Sequence, residues 1–275
     1  MRTESVNAGN LKAYRDFIPA ELMTGAISGD YRILGVRVFE EECGALVWKK
    51  EKGTDRGFLK SIYVDPVYRR IGAGEALLSA LREQAGKEGV CKAVYSFSPS
   101  GDSRMLIPFF EDMNIHTEVY LFPYAEHTLG EMTPALAKKK IGSADTSAPE
   151  ISTLDRMKRN ILRNWLSDNF NEPLSSYMTP DVPCFAVIGI DTVEAALLMS
   201  RDGDALTLDY LYQRGSDGRI LAGLLSGAVS RYAALYPPDT TIGMILTTDE
   251  ACALHDALFG EARDRIEVCR GEILL

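Results

Sequence analysis

Between Phe58 and Ala85 the hydrophobic pattern changes period once. Leu59, Ile62 and Val64 belong to a short alternating apolar run, which predicts a strand. Asp65-Pro66 ends it, because proline has no N–H to give to a ladder. Leu77, Leu78, Leu81 and Ala85 then fall on one face at helical spacing. The junction between strand and helix is the basic turn Arg69-Arg70-Ile71-Gly72-Ala73-Gly74.

The same patterning predicts the neighbouring elements. Asn10 to Ile27 reads as helical, broken near Ile18-Pro19, where a proline can open a new helix. Tyr31–Phe39 and Gly44–Lys49 are strand-like runs joined by Glu40-Glu41-Glu42. That acidic tip is either a solvated turn or, through Glu42 or a neighbour, a group that attracts an amine or takes its proton. Ala93–Phe97 is a further strand, ended by the turn-forming Ser98-Pro99-Ser100-Gly101-Asp102. A helical segment from Ser103 to Asp112 follows, and His116–Phe122 is expected to be the closing strand of the first half. Glu126–Lys140 predicts a helix ending in a solvated lysine run. Gly142–Pro149, small and polar, reads as a linker.

Beyond it the plan repeats. A helix over Leu154–Asn169 precedes strands Cys184–Ile190, Val193–Ser200 and Ala205–Tyr212, and a long helix over Gly218–Ala234. Strand Thr241–Leu246, helix Asp249–Leu258 and a strand through Ile266–Cys269 complete the order β-β-β-α-β-α-β, which matches Tyr31–Phe122 element by element. The expected fold class is therefore α/β (α+β), with two domains over residues 1–140 and 150–275. Each would hold a mixed, mostly antiparallel sheet flanked by helices.

Composition narrows the function classes. The 275 residues are 46% hydrophobic and 25% charged, which suits a globular chain with a large core. A net charge of −9 argues against nucleic acid as the main partner. Cys43, Cys91, Cys184, Cys252 and Cys269 are scattered with no CxxC pair, as expected of reduced thiols in a cytoplasmic protein. His116, His127 and His255 have no metal-ligand spacing, so no metal site is expected. No apolar leader or membrane-length run is present in the sequence, and no membrane partner is expected.

The turn carries the chemistry. The first N–H groups of a helix lack partners within it, and the helix dipole adds positive charge there. Glycines allow a ligand close to the backbone, and arginines suit phosphate. This is the recipe for an anion site, set against the plainer reading that Gly72 and Gly74 only ease a strand-to-helix turn; it is not a nucleotide P-loop, since no Gly-Lys-Ser/Thr follows, and not a G-x-G-x-x-G dinucleotide turn. Arg69-x-x-Gly72-x-Gly74, after Ile62-Tyr63-Val64-Asp65-Pro66 and before Leu77-Leu78, resembles the coenzyme A signature of the GNAT acetyltransferases. The resemblance implies a turn that wraps the pyrophosphate of acetyl-CoA, with Ile62, Tyr63, Val64, Arg69, Arg70, Ile71, Gly72, Ala73, Gly74 and Ser103 as cofactor-binding residues. It also implies that strands 58–64 and 93–97 splay apart to admit the pantetheine arm. Ser103–Asn114 is similar to the family's segment after that strand. Asn114 stands where a glycine ends the helix, and Phe110 where many members carry the tyrosine that protonates the departing thiol. A phenyl ring cannot do so, which leaves the acid role vacant or open to Tyr63, Tyr95 or Tyr120.

The second half lacks the phosphate turn: Asp217 stands where its first glycine would be. The chain thus resembles a tandem GNAT protein whose second domain is degenerate, with one cofactor site. The implied activity is acetyl transfer from acetyl-CoA to a primary amine of a small-molecule or peptide acceptor, by direct attack, in a monomer or homodimer. A non-catalytic acyl-CoA sensor and a module that binds nothing are the alternatives.

Overall fold

The computed structural model describes residues 1–138, 148–170, 172–179, 181–202, 205–215, 219–262 and 264–275. The chain forms two compact units, Met1–Val119 with Cys269–Leu275, and Tyr120–Val268. The linker expected at Gly142–Pro149 lies mostly outside the described residues.

In the first unit, β1 (Arg2–Val6) pairs with β2 (Arg32–Val38), β2 with β3 (Glu41–Lys50), and β3 with β4 (Arg56–Val64), all antiparallel. The broken helical segment is α1 (Leu11–Tyr14), two 3₁₀ turns (Arg15–Phe17 and Ala20–Leu22) and α2 (Met23–Ser28). Tyr14, Ile18 and Leu22 from this segment bury one face of the sheet with Ile33, Ala45 and Val47. On the other face lies α3 (Ala73–Lys87), whose Leu77, Leu78, Leu81 and Ala85 pack with Leu34, Val36, Leu46, Trp48 and Leu59. The Trp48 indole N–H also reaches Gln84 Oε1 at 3.2 Å, so the largest core side chain is oriented as well as buried.

β5 (Lys92–Phe97) lies parallel to β4, but the two strands pair only over Arg56–Phe58 and Lys92–Val94. Beyond Phe58 the ladder ends and the backbone edges of 59–64 and 95–97 diverge. A β-bulge follows just past that point: Val47 faces Ser61 while Trp48 faces Leu59, so Lys60 is the extra residue.

The other edge of β5 corrects an expectation. The sheet is closed not by the segment after α4 (Leu106–Asp112) but by the end of the chain. In β11 (Asp264–Leu274), Cys269–Leu274 run antiparallel to Phe97–Lys92 and bury Cys269 and Ile273. The segment read as the closing strand is part of β6 (Thr117–Thr128), whose Tyr124–Thr128 pair with β10 (Thr241–Ile245) in the second unit. Nothing local in either strand selects its partner. β6 runs on to Thr128 where a helix was expected from Glu126. There a reciprocal cap, Thr128 N–H to Glu131 Oε2 (2.9 Å) and Glu131 N–H to Thr128 Oγ1 (3.3 Å), starts α5 (Leu129–Lys138).

The second unit repeats the plan. α6 (Arg156–Phe170) precedes β7 (Phe185–Ile188), β8 (Val193–Asp202) and β9 (Ala205–Gln213), paired antiparallel in that order. α7 (Arg219–Ala233) leads to β10, which is parallel to β9 over only Leu206–Leu208 and Ile242–Met244. α8 (Asp249–Phe259) follows. The bulge recurs in register, with Asp209 as the extra residue between Tyr210, facing Leu198, and Leu208, facing Met199. Aligned on the bulges, Lys60 corresponds to Asp209, Tyr63 to Tyr212 and Val64 to Gln213.

Candidate functional site

In the first unit the turn after β4 is built from local bonds. Asp65 Oδ1 accepts from Val67 N–H (2.9 Å), and its carbonyl accepts from Tyr68 N–H (2.9 Å), which folds Pro66–Tyr68 into a 3₁₀ turn. Two residues then take left-handed backbone angles, Arg70 (φ +62°) and Gly72 (φ +91°). For arginine this conformation costs about 1 kcal/mol or more, a strain of the kind that gathers at ligand sites. Gly72 caps α3, and the first helical bond is Ala76 N–H to Gly72 O (2.9 Å). The N–H groups of Ala73, Gly74 and Glu75 thus form the open end of the helix. Nothing approaches the space beside an exposed Gly72 more closely than Met1 Cε, 3.9 Å from where a Cβ would stand. Gly74 has a different reason to be glycine: a Cβ there would sit 2.9 Å from the Phe109 ring.

Ile62 and Val64 pack on the α3 side of the sheet. Tyr63 lies on the opposite face, stacked on Phe17 (centroids 6.2 Å apart) with the Arg69 guanidinium 5.6 Å from its ring centre. Arg69 is held further by Nε to Val64 O (2.8 Å) and by Nη2 to Asp102 Oδ2 (2.7 Å). Arg70 and Ile71 are exposed and Ala73 is buried at the helix start. Ser103 is engaged locally: its hydroxyl bonds Ser98 O (2.9 Å) and Ser100 O (2.7 Å) and accepts from Ser100 N–H (2.8 Å).

The aromatic candidates separate. Tyr95 is buried, stacked on Phe110 (4.5 Å), and its hydroxyl meets Thr117 Oγ1 at 2.7 Å. Burial pushes that hydroxyl above its ordinary range, the Thr117 bond opposing in part. Tyr120 belongs to the second unit, half-exposed and stacked on Phe122. Phe110 is buried among Tyr95, Phe97 and Phe109. Asn114 takes the left-handed angle of a helix-ending glycine (φ +54°), and Ile115 N–H to Phe110 O (2.8 Å) with Asn114 N–H to Glu111 O (2.9 Å) closes a Schellman motif. Glu42 pairs with Arg37 (3.4 Å). Sequence reasoning did not single out Asp102 or Phe17. Asp102 had been read only as turn chemistry, and its pairing with Arg69 depends on two loops coming together.

At the corresponding junction of the second unit, the side chain of Gln213 turns back onto the helix. Its Oε1 accepts from Leu221 N–H (2.9 Å), one of the free donors at the start of α7, and its Nε2 donates to Gly215 O (3.2 Å). Gln213 is buried. Asp217, expected to repel a phosphate here, lies outside the described residues.

Among the described residues no group of three or more His, Cys, Asp or Glu is arranged to hold a metal ion. Nor is any helix long and apolar enough to cross a membrane.

The stretch that holds the splayed parallel pair, the bulged strand and the left-handed turn, residues 27–113, matches the acetyltransferase (GNAT) family model. The chain as a whole has the fold of a tandem GNAT protein. It is similar over 98% of both chains to a tandem GNAT protein from the clavulanic acid biosynthesis pathway, at 15% identity and a TM-score of 0.59. A putative acetyltransferase from Pyrococcus horikoshii matches all of this chain and 89% of its own, with 13% identity and a TM-score of 0.58. A GCN5-related N-acetyltransferase from Kribbella flavida matches all of this chain and 71% of its own, with 12% identity and a TM-score of 0.54. No curated protein matches the sequence.

Proposed function

We propose that the chain is an acetyl-CoA-dependent N-acetyltransferase with one cofactor site, in the first unit, acting on a primary amine. The observation that carries this reading is the left-handed pair Arg70 and Gly72 at the open end of α3, beside the gap between β4 and β5. Backbone N–H groups there suit a pyrophosphate. The diverging edges of β4 and β5 can bond an extended amide-bearing arm as an added strand would. The chain's own groups then do three things. The gap holds the thioester beside the Lys60 bulge, backbone N–H groups near Val64 face the carbonyl oxygen, and the Tyr63–Phe17 face borders the acceptor. A neutral amine attacks the carbonyl, the thiolate leaves, and the amine's proton passes to solvent or a nearby base.

A second reading, a non-catalytic acyl-CoA sensor, is favoured by one observation. Phe110 is buried in the core and Tyr95 is committed to Thr117, so neither offers a proton to a departing thiolate. A thiol with a pKa of about 8.5 is already a fair leaving group, which is why transfer without an acid is preferred here. The test is incubation with acetyl-CoA and a panel of amines, read as acetylated product and released thiol. Product lost in Gly72→Asp supports the enzyme. CoA binding without product for any amine supports the sensor.

A further inference from the structure

The Arg69 guanidinium, one of the groups the proposed cofactor site offers to a phosphate, is already engaged by a carboxylate of the same chain. Arg69 follows β4 and Asp102 follows β5, so their 2.7 Å contact joins the segments that leave the two diverging strands. The loop that presents Asp102 is closely tied. Ser103 bonds Ser98 and Ser100, Arg104 Nε donates to Pro99 O (3.0 Å), and Gly101 adopts φ +50° to make the turn. The other end of the contact is fixed as well, since Arg69 Nε is anchored on Val64 O and its plane lies against Tyr63. Only the Nη2 side is turned to Asp102. The aspartate side chain is 67% exposed, so water competes with Arg69 for its carboxylate.

We propose that Asp102 is a surrogate anion: it occupies the Arg69 guanidinium across the mouth of the β4–β5 gap and yields it to a cofactor phosphate. The inference rests on the acetyl-CoA reading and adds to it a built-in competitor. An exposed pair of this kind is weak, so a doubly charged pyrophosphate backed by the α3 N–H groups displaces it readily. Before that exchange the ion pair bridges the two arms of the gap. After it, Asp102 returns to water and the mouth is free. Binding affinity is therefore set below the value the phosphate site alone would give.

The experiment is a double-mutant cycle of Asp102→Asn and Arg69→Gln, with CoA affinity measured by calorimetry up to millimolar ligand and melting curves confirming that each variant folds. The expected result is that Asp102→Asn binds CoA about two- to fivefold more tightly than wild type, a gain of the size set by losing an exposed pair. The same substitution in the Arg69→Gln background should bring no gain. Unchanged or weaker binding by Asp102→Asn overturns the surrogate and makes the contact a structural tie. A gain that persists without Arg69 also overturns it, because simple charge removal then accounts for the effect. Wild type that binds CoA while either of those results holds leaves the acetyl-CoA reading standing. No CoA binding by wild type removes both.

Discussion

At the start of α3 the chain leaves backbone N–H groups open beside an exposed Gly72, whereas at the start of α7 it covers a matching donor with the Gln213 side chain. The strands leading into the two helices share a bulge in the same register and a parallel neighbour that pairs over only three positions. The scaffold is thus duplicated and the difference is confined to the junction. One junction spends residues on a strained turn and leaves helix donors open; the other turns a buried glutamine onto a matching donor. A fold repeated twice need not carry its site twice, because the site lives in a few backbone angles and one side chain.

The comparison can be broken most severely by removing the strand that completes the first unit. Deleting Cys269–Leu275 strips the edge partner of β5 and the buried side chains of Cys269, Arg270 and Ile273. We expect collapse of the first unit and loss of CoA binding, read by limited proteolysis and calorimetry. Ile273→Ala alone should cost about 2–5 kcal/mol of stability in denaturant titration. Next in size is Gly72→Asp, which puts a side chain and a negative charge over the helix end. CoA affinity should fall about a hundredfold, near 2.7 kcal/mol, in a protein with an unchanged far-UV spectrum.

A smaller effect is expected at the other junction. Gln213→Leu leaves the Leu221 N–H without its acceptor and should destabilise the chain by about 1–3 kcal/mol in denaturant titration. It should not create CoA binding, because it frees a single helix donor and supplies no cationic, strained turn beside it. The smallest effect concerns pH, in the second unit. His127 Nε2 lies 3.0 Å from His255 Nε2, and burial first, then His255, lowers the His127 pKa, opposed by Glu131; Asp256 faces His255 Nδ1 at 3.4 Å. A histidine with a depressed folded pKa binds its proton better unfolded, so its contribution is present above the unfolded value of about 6.5 and is lost as pH falls below it. Melting temperature should drop between pH 7 and 5, and less so in His127→Gln.

Much of this was legible in the sequence, for reasons that differ from residue to residue. The strand, turn and helix from Phe58 to Ala85 could be read because hydrophobic period and glycine positions are local signals. Asn114 could be read as a helix end for the same reason, and its left-handed angle agrees. The two glycines of the turn looked alike in sequence yet differ in cause: Gly72 is set by a backbone angle, Gly74 by the Phe109 ring. That distinction needs tertiary contacts. So does the fate of β6 and β11, since an alternating strand carries no mark of its partner. β1 was missed because RTESV has too few apolar residues to show a period, and it is a strand through pairing with β2. Gln213 and Asp102 matter through partners eight and thirty-three residues away, beyond any local pattern.

The central claim is that one junction binds the cofactor and the other has closed itself. Calorimetric titration with CoA tests it most directly, using wild type, Gly72→Asp and Gln213→Leu side by side. The account predicts one CoA per chain in wild type, about a hundredfold weaker binding in Gly72→Asp, and an unchanged single site in Gln213→Leu. Two sites per chain, or full affinity after Gly72→Asp in a folded protein, would contradict it.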